Sequence, residues 1–202
     1  MMIDLHYLPS LEYFTAILND DTITIEAQEY YEKQSYRNRC IILTTNKIDT
    51  LSIPVLDGNK KVLIRDVRID YSQDWVRRHW GAIYSAYGKS PYFEYYSDFF
   101  KDIFDKKTDF LFDFNLELLT LCLKLLKLNK KIVFTETFEK EAQEMRRGLI
   151  HPKRGFEAND FYQPVAYRQN FGNEFVPNLS ILDLLFCQGT QSLAILKSSI
   201  KD

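Results

Sequence analysis

The order in which two kinds of hydrophobic spacing follow one another constrains this chain most. Short runs between residues 22 and 69 place apolar residues at alternate positions. From Asp70 to Leu128 apolar residues recur three and four apart, and alternation returns at residues 131–135. A two-residue period marks a strand with one buried face, and a three-to-four period marks a helix with one. A chain that runs strand, helix, strand must bury its helix faces against a sheet. The expected fold class is therefore α/β: one domain over residues 1–202, a mixed sheet flanked by helices, with α+β as the fallback if the blocks segregate.

Taken in order, residues 3–7 read as a short strand that Pro9 ends, and residues 11–18 as a helix. Residues 22–26 put Ile23 and Ile25 on one strand face. Residues 40–45 and 50–55 read as a hairpin across Asn46-Lys47-Ile48-Asp49, with Pro54 at an edge or strand end because it cannot donate to a ladder. Residues 62–69 read as a strand with a bulge near Arg65-Asp66. Asp70 with Gln73 resembles a capping box for a helix carrying Trp75, Val76, Trp80, Ile83, Tyr84 and Tyr87, closed by Gly88. Ser90-Pro91 opens a second helix over residues 92–106. Thr108 is placed to cap a third, whose face is Phe114, Leu118, Leu121, Leu125 and Leu128. Residues 138–177, punctuated by Gly148, Pro152, Gly155, Pro164 and Gly172, read as a mobile or functional loop region. Residues 179–200 read as a helix interrupted near Gly189.

The 202 residues carry a net charge of −2, which argues against broad nucleic-acid binding but leaves room for a local basic patch. Three cysteines, Cys40, Cys122 and Cys187, are far apart and outside any CxxC spacing, so neither a disulfide framework nor a zinc knuckle is expected. The three histidines are too dispersed to propose a metal. The longest apolar stretch, residues 110–128, is broken by Asp113, Asn115, Glu117, Lys124 and Lys127, so no membrane insertion is expected. The first residues lack a basic segment followed by an apolar one, and a reducing cytoplasm is the expected location. The glycine-rich phosphate loops, the GxSxG turn and HExxH are all absent, and no cofactor is expected.

The segment from Tyr30 to Arg39 holds three cations and three tyrosines, has no apolar period, and is presented by a strand on either side. Loops on a rigid scaffold are where binding groups sit. Arg37 and Arg39 flank Asn38 and could grip a phosphate or carboxylate, since a guanidinium donates two parallel hydrogen bonds. Tyr36 could stack on a base or sugar. The alternative is a solvated charged loop.

His79 falls on the stripe of Trp75 and Ile83, where it is either an acid–base group at a cleft shared with the arginine loop or a core histidine bonded to a carbonyl. His6 follows a strand end, a common ligand address in α/β folds, and is otherwise an ordinary loop histidine. Asn178, Ser180 and Asp183 could line a site at a helix start, or Ser180 and Asp183 could act as a capping pair.

Together these pieces resemble the WbqC-like family. The matching residues are Tyr7-Leu8-Pro9 with Tyr13-Phe14, Arg37-Asn38-Arg39, Leu51-Ser52-Ile53-Pro54-Val55, Asp74-Trp75 with His79, Tyr87 with Pro91-Tyr92-Phe93, and Asn178-Leu179-Ser180 with Asp183-Leu184-Leu185 and Gly189. The chain departs from the family at Ile3-Asp4-Leu5, where many members have His-Gln-Pro, so His6 is not the counterpart of that histidine. The resemblance implies a role in bacterial surface-polysaccharide (O-antigen-type) synthesis, with acyl, aminoacyl or glycine transfer to a sugar precursor. In that expectation Arg37, Asn38 and Arg39 hold a small anionic substrate such as a nucleotide-sugar or acyl donor, and His79 is the general base. The other expectation is a non-catalytic module that binds an anionic sugar, a nucleotide or a partner protein.

Overall fold

The computed structural model describes residues 2–45, 47–138 and 147–201. Asn46 of the expected hairpin connection and residues 139–146 of the expected loop region lie outside them.

Strands β1 (Met2–Ile3), β2 (Thr22–Ile25) and β5 (Lys131–Phe134) form a parallel sheet in the order β1-β2-β5, with Ile3 beside Ile25 and Ile25 beside Phe134. Strands β3 (Arg39–Leu43) and β4 (Ile48–Ser52) form a separate antiparallel hairpin in which Arg39 pairs with Ser52 and Leu43 with Ile48. Helices α1 (Leu11–Ile17), α2 (Trp75–Tyr87), α3 (Phe93–Asp105), α4 (Leu111–Leu125), α5 (Ile181–Gln188) and α6 (Ser192–Ser198) complete the α/β architecture. Parallel and antiparallel pairing are both present, as expected, but in two sheets. The alternation of residues 22–25 does what it implies, since Ile23 and Ile25 are fully buried while Thr22 and Thr24 are half-buried. One continuous apolar cluster joins both sheets to the helices.

The expected strand over residues 62–69 is a short 3-10 turn, Ile64–Asp66, between single bridges. Its backbone is shared among separate neighbours. Val62 accepts from Tyr31 N (2.9 Å), Ile64 N donates to Glu29 O (2.9 Å), and Val67 accepts from Leu111 N (2.9 Å). A ladder needs one partner along its length, and this segment has none. Asp70 is also not a helix cap. Its Oδ1 accepts from Ser72 N (2.9 Å) and Ser72 Oγ (2.6 Å), closing a local turn, and α2 begins further on at Trp75. Gly189 ends α5 at φ +52, where a side chain would run into the Tyr92 ring.

The described part of the long loop carries little regular structure but is tied down by polar bonds. Arg147 Nη1 donates to Glu26 (2.6 Å), Gly148 N to Asp4 (2.8 Å) and Asn159 Nδ2 to Glu12 (2.7 Å). Tyr167 OH (2.7 Å) and Gln169 Nε2 (2.9 Å) both donate to Asp183 Oδ2.

Candidate functional site

Each parallel strand delivers a polar residue just past its carboxyl end: Asp4 after β1, Glu26 after β2 and Thr135 after β5. Ligands of open α/β sheets bind at that edge. Here the chain itself fills it with Arg37. Arg37 is 3% exposed. Its Nε and Nη2 donate to the two carboxylate oxygens of Glu29 (2.6 and 2.7 Å), Nη2 also reaches Asp4 Oδ2 at 3.2 Å, and Nη1 lies 3.5 Å from Glu32. His6 is 1% exposed, and its Nε2 lies 3.2 Å from the same Asp4 oxygen.

Burial works against the charge on Arg37, but Asp4 and Glu29 outweigh it and hold the guanidinium protonated. Burial also opposes the Asp4 carboxylate, yet Arg37 and His6 pull its pKa below the usual value. Glu29 goes the other way, because burial raises it to about 7 despite the bidentate arginine. Burial keeps His6 neutral. Arg37, expected to grip a ligand, thus faces the protein's own carboxylates. Its donors are spent on buried carboxylates, and a substrate anion would have to displace them.

Arg39 has a different fate. Residues 36 and 37 lie in a turn and β3 starts at Arg39, so strand alternation does not relate the two arginines. Arg39 is half-buried and lines an open groove of about 560 Å³ with Tyr31, Lys33, Asn38, Asp57 and Lys60. Among the described residues it takes part in no ion pair, and its buried Nε has no hydrogen-bond partner. Lys33 Nζ rests on the neutral amide oxygen of Asn59, so its charge stays uncompensated. Lys60 is paired with Asp57 at 2.8 Å. Three cations against one carboxylate leave the lining positive by two charges. Asn38 sits beneath Arg39, its Nδ2 donating to Ile53 O (2.8 Å) and its Oδ1 buried without a partner. The groove can hold an anion.

The other expected site residues are not gathered here. His79 is 5% exposed, with Nε2 3.2 Å from Ser52 O and Nδ1 2.9 Å from Tyr7 OH. A carbonyl only accepts, so Nε2 carries the proton and Nδ1 accepts from Tyr7. Burial lowers its pKa to about 4. Both nitrogens are occupied and the ring is neutral, the geometry of a core histidine bonded to a carbonyl.

Tyr36 packs its ring 5.5 Å from His6, and burial raises its phenol to about 12. Asn178 caps α1 from outside, accepting from Glu12 N (2.9 Å) and donating to the Glu12 carboxylate (3.2 Å). Ser180 is the N-cap of α5, accepting from Leu182 N (3.4 Å) and donating to Leu8 O (2.9 Å). Asp183 does not join that cap. It is fully buried, burial raises its pKa, and it accepts from Tyr167 and Gln169.

Sequence reasoning missed Asp4, Glu12, Glu26 and Glu29 as partners of these groups. The available signal was a carboxylate directly after an apolar strand run, as in Ile3-Asp4-Leu5 and Ile25-Glu26. It also missed Asp57 and Lys60 as lining. Among the described residues no group of three or more His, Cys, Asp or Glu side chains is placed to hold a metal, and no helix is long and apolar enough to cross a membrane.

A family model described as "WbqC-like protein family" matches residues 5–165 and 155–195. An uncharacterized protein of Mycobacterium tuberculosis, Rv1507c, is 30% identical over 100 residues, covering 49% of this chain and 43% of that protein. The match thus spans less than half the length of that relative. No solved structure matches.

Proposed function

Because the chain belongs to the WbqC-like protein family, we propose that it takes part in modifying a sugar precursor by holding the anionic part of one reactant in the Arg39 groove. The observation that carries this is the contrast in charge compensation. Among the described residues Arg39 and Lys33 face open space without a carboxylate of their own, while the buried Arg37 and the nearly buried Arg147 are matched. An arginine with no internal partner beside a groove is suited to phosphate or carboxylate. The reaction served is acyl or aminoacyl transfer, glycine included, in bacterial surface-polysaccharide synthesis, the role implied by the family resemblance. The reducing cytoplasm is the proposed setting, in keeping with three buried free thiols.

A second reading, a binding module without catalysis, is favoured by the acid–base groups of the groove. Burial holds the proton on Tyr31, so it is not poised as a base, and the Asp57 carboxylate is engaged with Lys60 at 2.8 Å. The test is thermal stabilisation by inorganic phosphate and by a nucleotide-sugar, in wild type and Arg39→Ala. Stabilisation that disappears in the variant supports the groove. Stabilisation that is equal in both, or absent in wild type, overturns it. Release of a free acyl or aminoacyl product from a donor and sugar-precursor mixture separates the transferase from the binding module.

A further inference from the structure

Helix α2 has two aromatic faces. Trp75, His79, Ile83, Ala86 and Tyr87 are buried. On the opposite side Arg77, Trp80, Gly81 and Tyr84 follow one another at i, i+3, i+4 and i+7, and Tyr84 is 62% exposed. These residues floor an open groove of about 540 Å³ that runs between α2 and the end of α3. Its aromatic floor is braced from below. Trp80 packs 6.4 Å from Phe93 and 6.0 Å from Phe104, and Tyr84 stands edge-on to Phe93 at 5.6 Å.

Gly81 is the unusual element. A glycine inside a helix costs about 1 kcal/mol relative to alanine. Such a residue is explained when a side chain would collide with something or when φ is positive. Gly148, Gly172 and Gly189 have positive φ, and a Cβ at Gly58, Gly88 or Gly155 would meet the chain closely. At Gly81 φ is ordinary and nothing lies within 4 Å of the added Cβ. The protein's own packing gives no reason for glycine there. The space above it is open and lies between the half-buried Trp80 ring and the solvent-facing Tyr84 ring, where a ligand would sit.

We propose that this groove binds a neutral carbohydrate, with one sugar ring laid over Gly81 against Trp80 and Tyr84. A sugar ring offers an apolar C–H face for aromatic contact and hydroxyls that both donate and accept. The rim supplies both partners. Lys101 is paired with Asp105 and lies 5.9 Å over the Trp80 ring, and Arg77 faces Asp74 at 3.9 Å. Asp74 and Asp105 offset Arg77 and Lys101, and Lys107 leaves the lining one positive charge in excess, against two at the Arg39 groove. The volume falls in the range of about 300–1,000 Å³ typical of small-molecule sites, so the occupant is a small molecule and not a folded partner. This inference does not rest on the anion site, which is lined by different residues.

The test uses methyl glycosides of glucose, galactose, mannose and N-acetylglucosamine, titrated to the millimolar range. Binding is read by tryptophan emission and by saturation-transfer NMR. The chain has two tryptophans and Trp75 is 1% exposed, so an emission change reports on Trp80. At least one glycoside should give a saturable change that inorganic phosphate does not displace. Gly81→Met should fill the floor and weaken that binding at least tenfold without lowering the melting temperature, because methionine is the better helix former. Tyr84→Ala should weaken it as well. Silence in both readouts for all four glycosides, or wild-type affinity in Gly81→Met, overturns the proposal.

Discussion

Arg37 is 3% exposed among Asp4, Glu29 and Glu32, whereas Arg39, two residues on, lines an open groove and has no carboxylate partner among the described residues. The residue types are identical and the sequence positions nearly so. What separates them is the turn at residues 36–37, which sends one guanidinium to the carboxyl edge of the parallel sheet and leaves the other at the start of β3. A buried cation surrounded by carboxylates organises the fold. A half-buried cation that lacks them is available for chemistry with something else.

The largest expected effect follows from removing Arg37. Arg37→Ala leaves Asp4 and Glu29 buried without their counter-charge, and breaking a buried pair in this way costs roughly 3–5 kcal/mol. Chemical denaturation should show a variant that is barely folded or unfolded at neutral pH. If Arg37→Ala and Arg39→Ala were equally mild, the contrast between the two arginines would be wrong.

The next effect sharpens the comparison through pH. His79 has a pKa lowered from 6.5 to about 4 by burial, so the folded state prefers the neutral ring. The stability it contributes is present above pH 6.5 and is lost as pH falls toward 4. Over that window wild type should lose a few kcal/mol from this residue. Glu29 has the opposite sign. With its pKa raised to about 7, its contribution is full below the ordinary value of 4.5 and is lost as pH rises through 7. Denaturation midpoints measured from pH 4 to 8 should therefore show His79→Gln flattening the acid limb and Glu29→Gln flattening the limb toward neutral pH. A His79→Gln profile that parallels wild type would contradict the buried neutral ring.

A smaller effect is expected at the α5 cap. Ser180→Ala should cost about 1 kcal/mol, the usual worth of such a cap, while leaving anion binding unchanged. Loss of binding at unchanged stability would move Ser180 from the scaffold to the site. The smallest effect on folding belongs to Arg39→Ala, within about 0.5 kcal/mol as for a surface change, although anion-dependent stabilisation disappears. A large drop in melting temperature would place Arg39 with Arg37 after all.

Much of the scaffold was legible because periodicity reports burial directly. Ile23 and Ile25, the stripe of Trp75, His79 and Ile83, and the break at Gly189 lie where spacing put them, and the hairpin of β3 and β4 forms with its second strand at Ile48–Ser52 in place of residues 50–55. Residues 62–69 were misread because alternation cannot tell a ladder from a segment whose bonds go to several partners. The candidate site was legible in its cations and not in their compensation. Nothing local in Arg37-Asn38-Arg39 says that Glu29 and Asp4 will close on the first arginine, since those contacts depend on how distant strand ends meet. Helical spacing alone does not separate Trp80 and Tyr84 from Trp75, Ile83 and Tyr87, because a helix that is aromatic on two sides looks like one broad face.

The junction between residues 8–12 and 178–181 has a consequence for synthesis. Leu11 N donates to Leu179 O, Ile181 N to Pro9 O and Ser180 Oγ to Leu8 O, and Asn178 secures the backbone of Glu12. Helix α1, once it has left the ribosome, therefore lacks these partners until a segment made on the order of ten seconds or more later emerges, at about 5–20 residues per second. During that interval the apolar residues around Leu11 and Phe14 have no finished core to enter. A late closure of this distant contact is the behaviour expected of such a junction, and it makes Asn178→Ala a variant whose refolding rate reports on it.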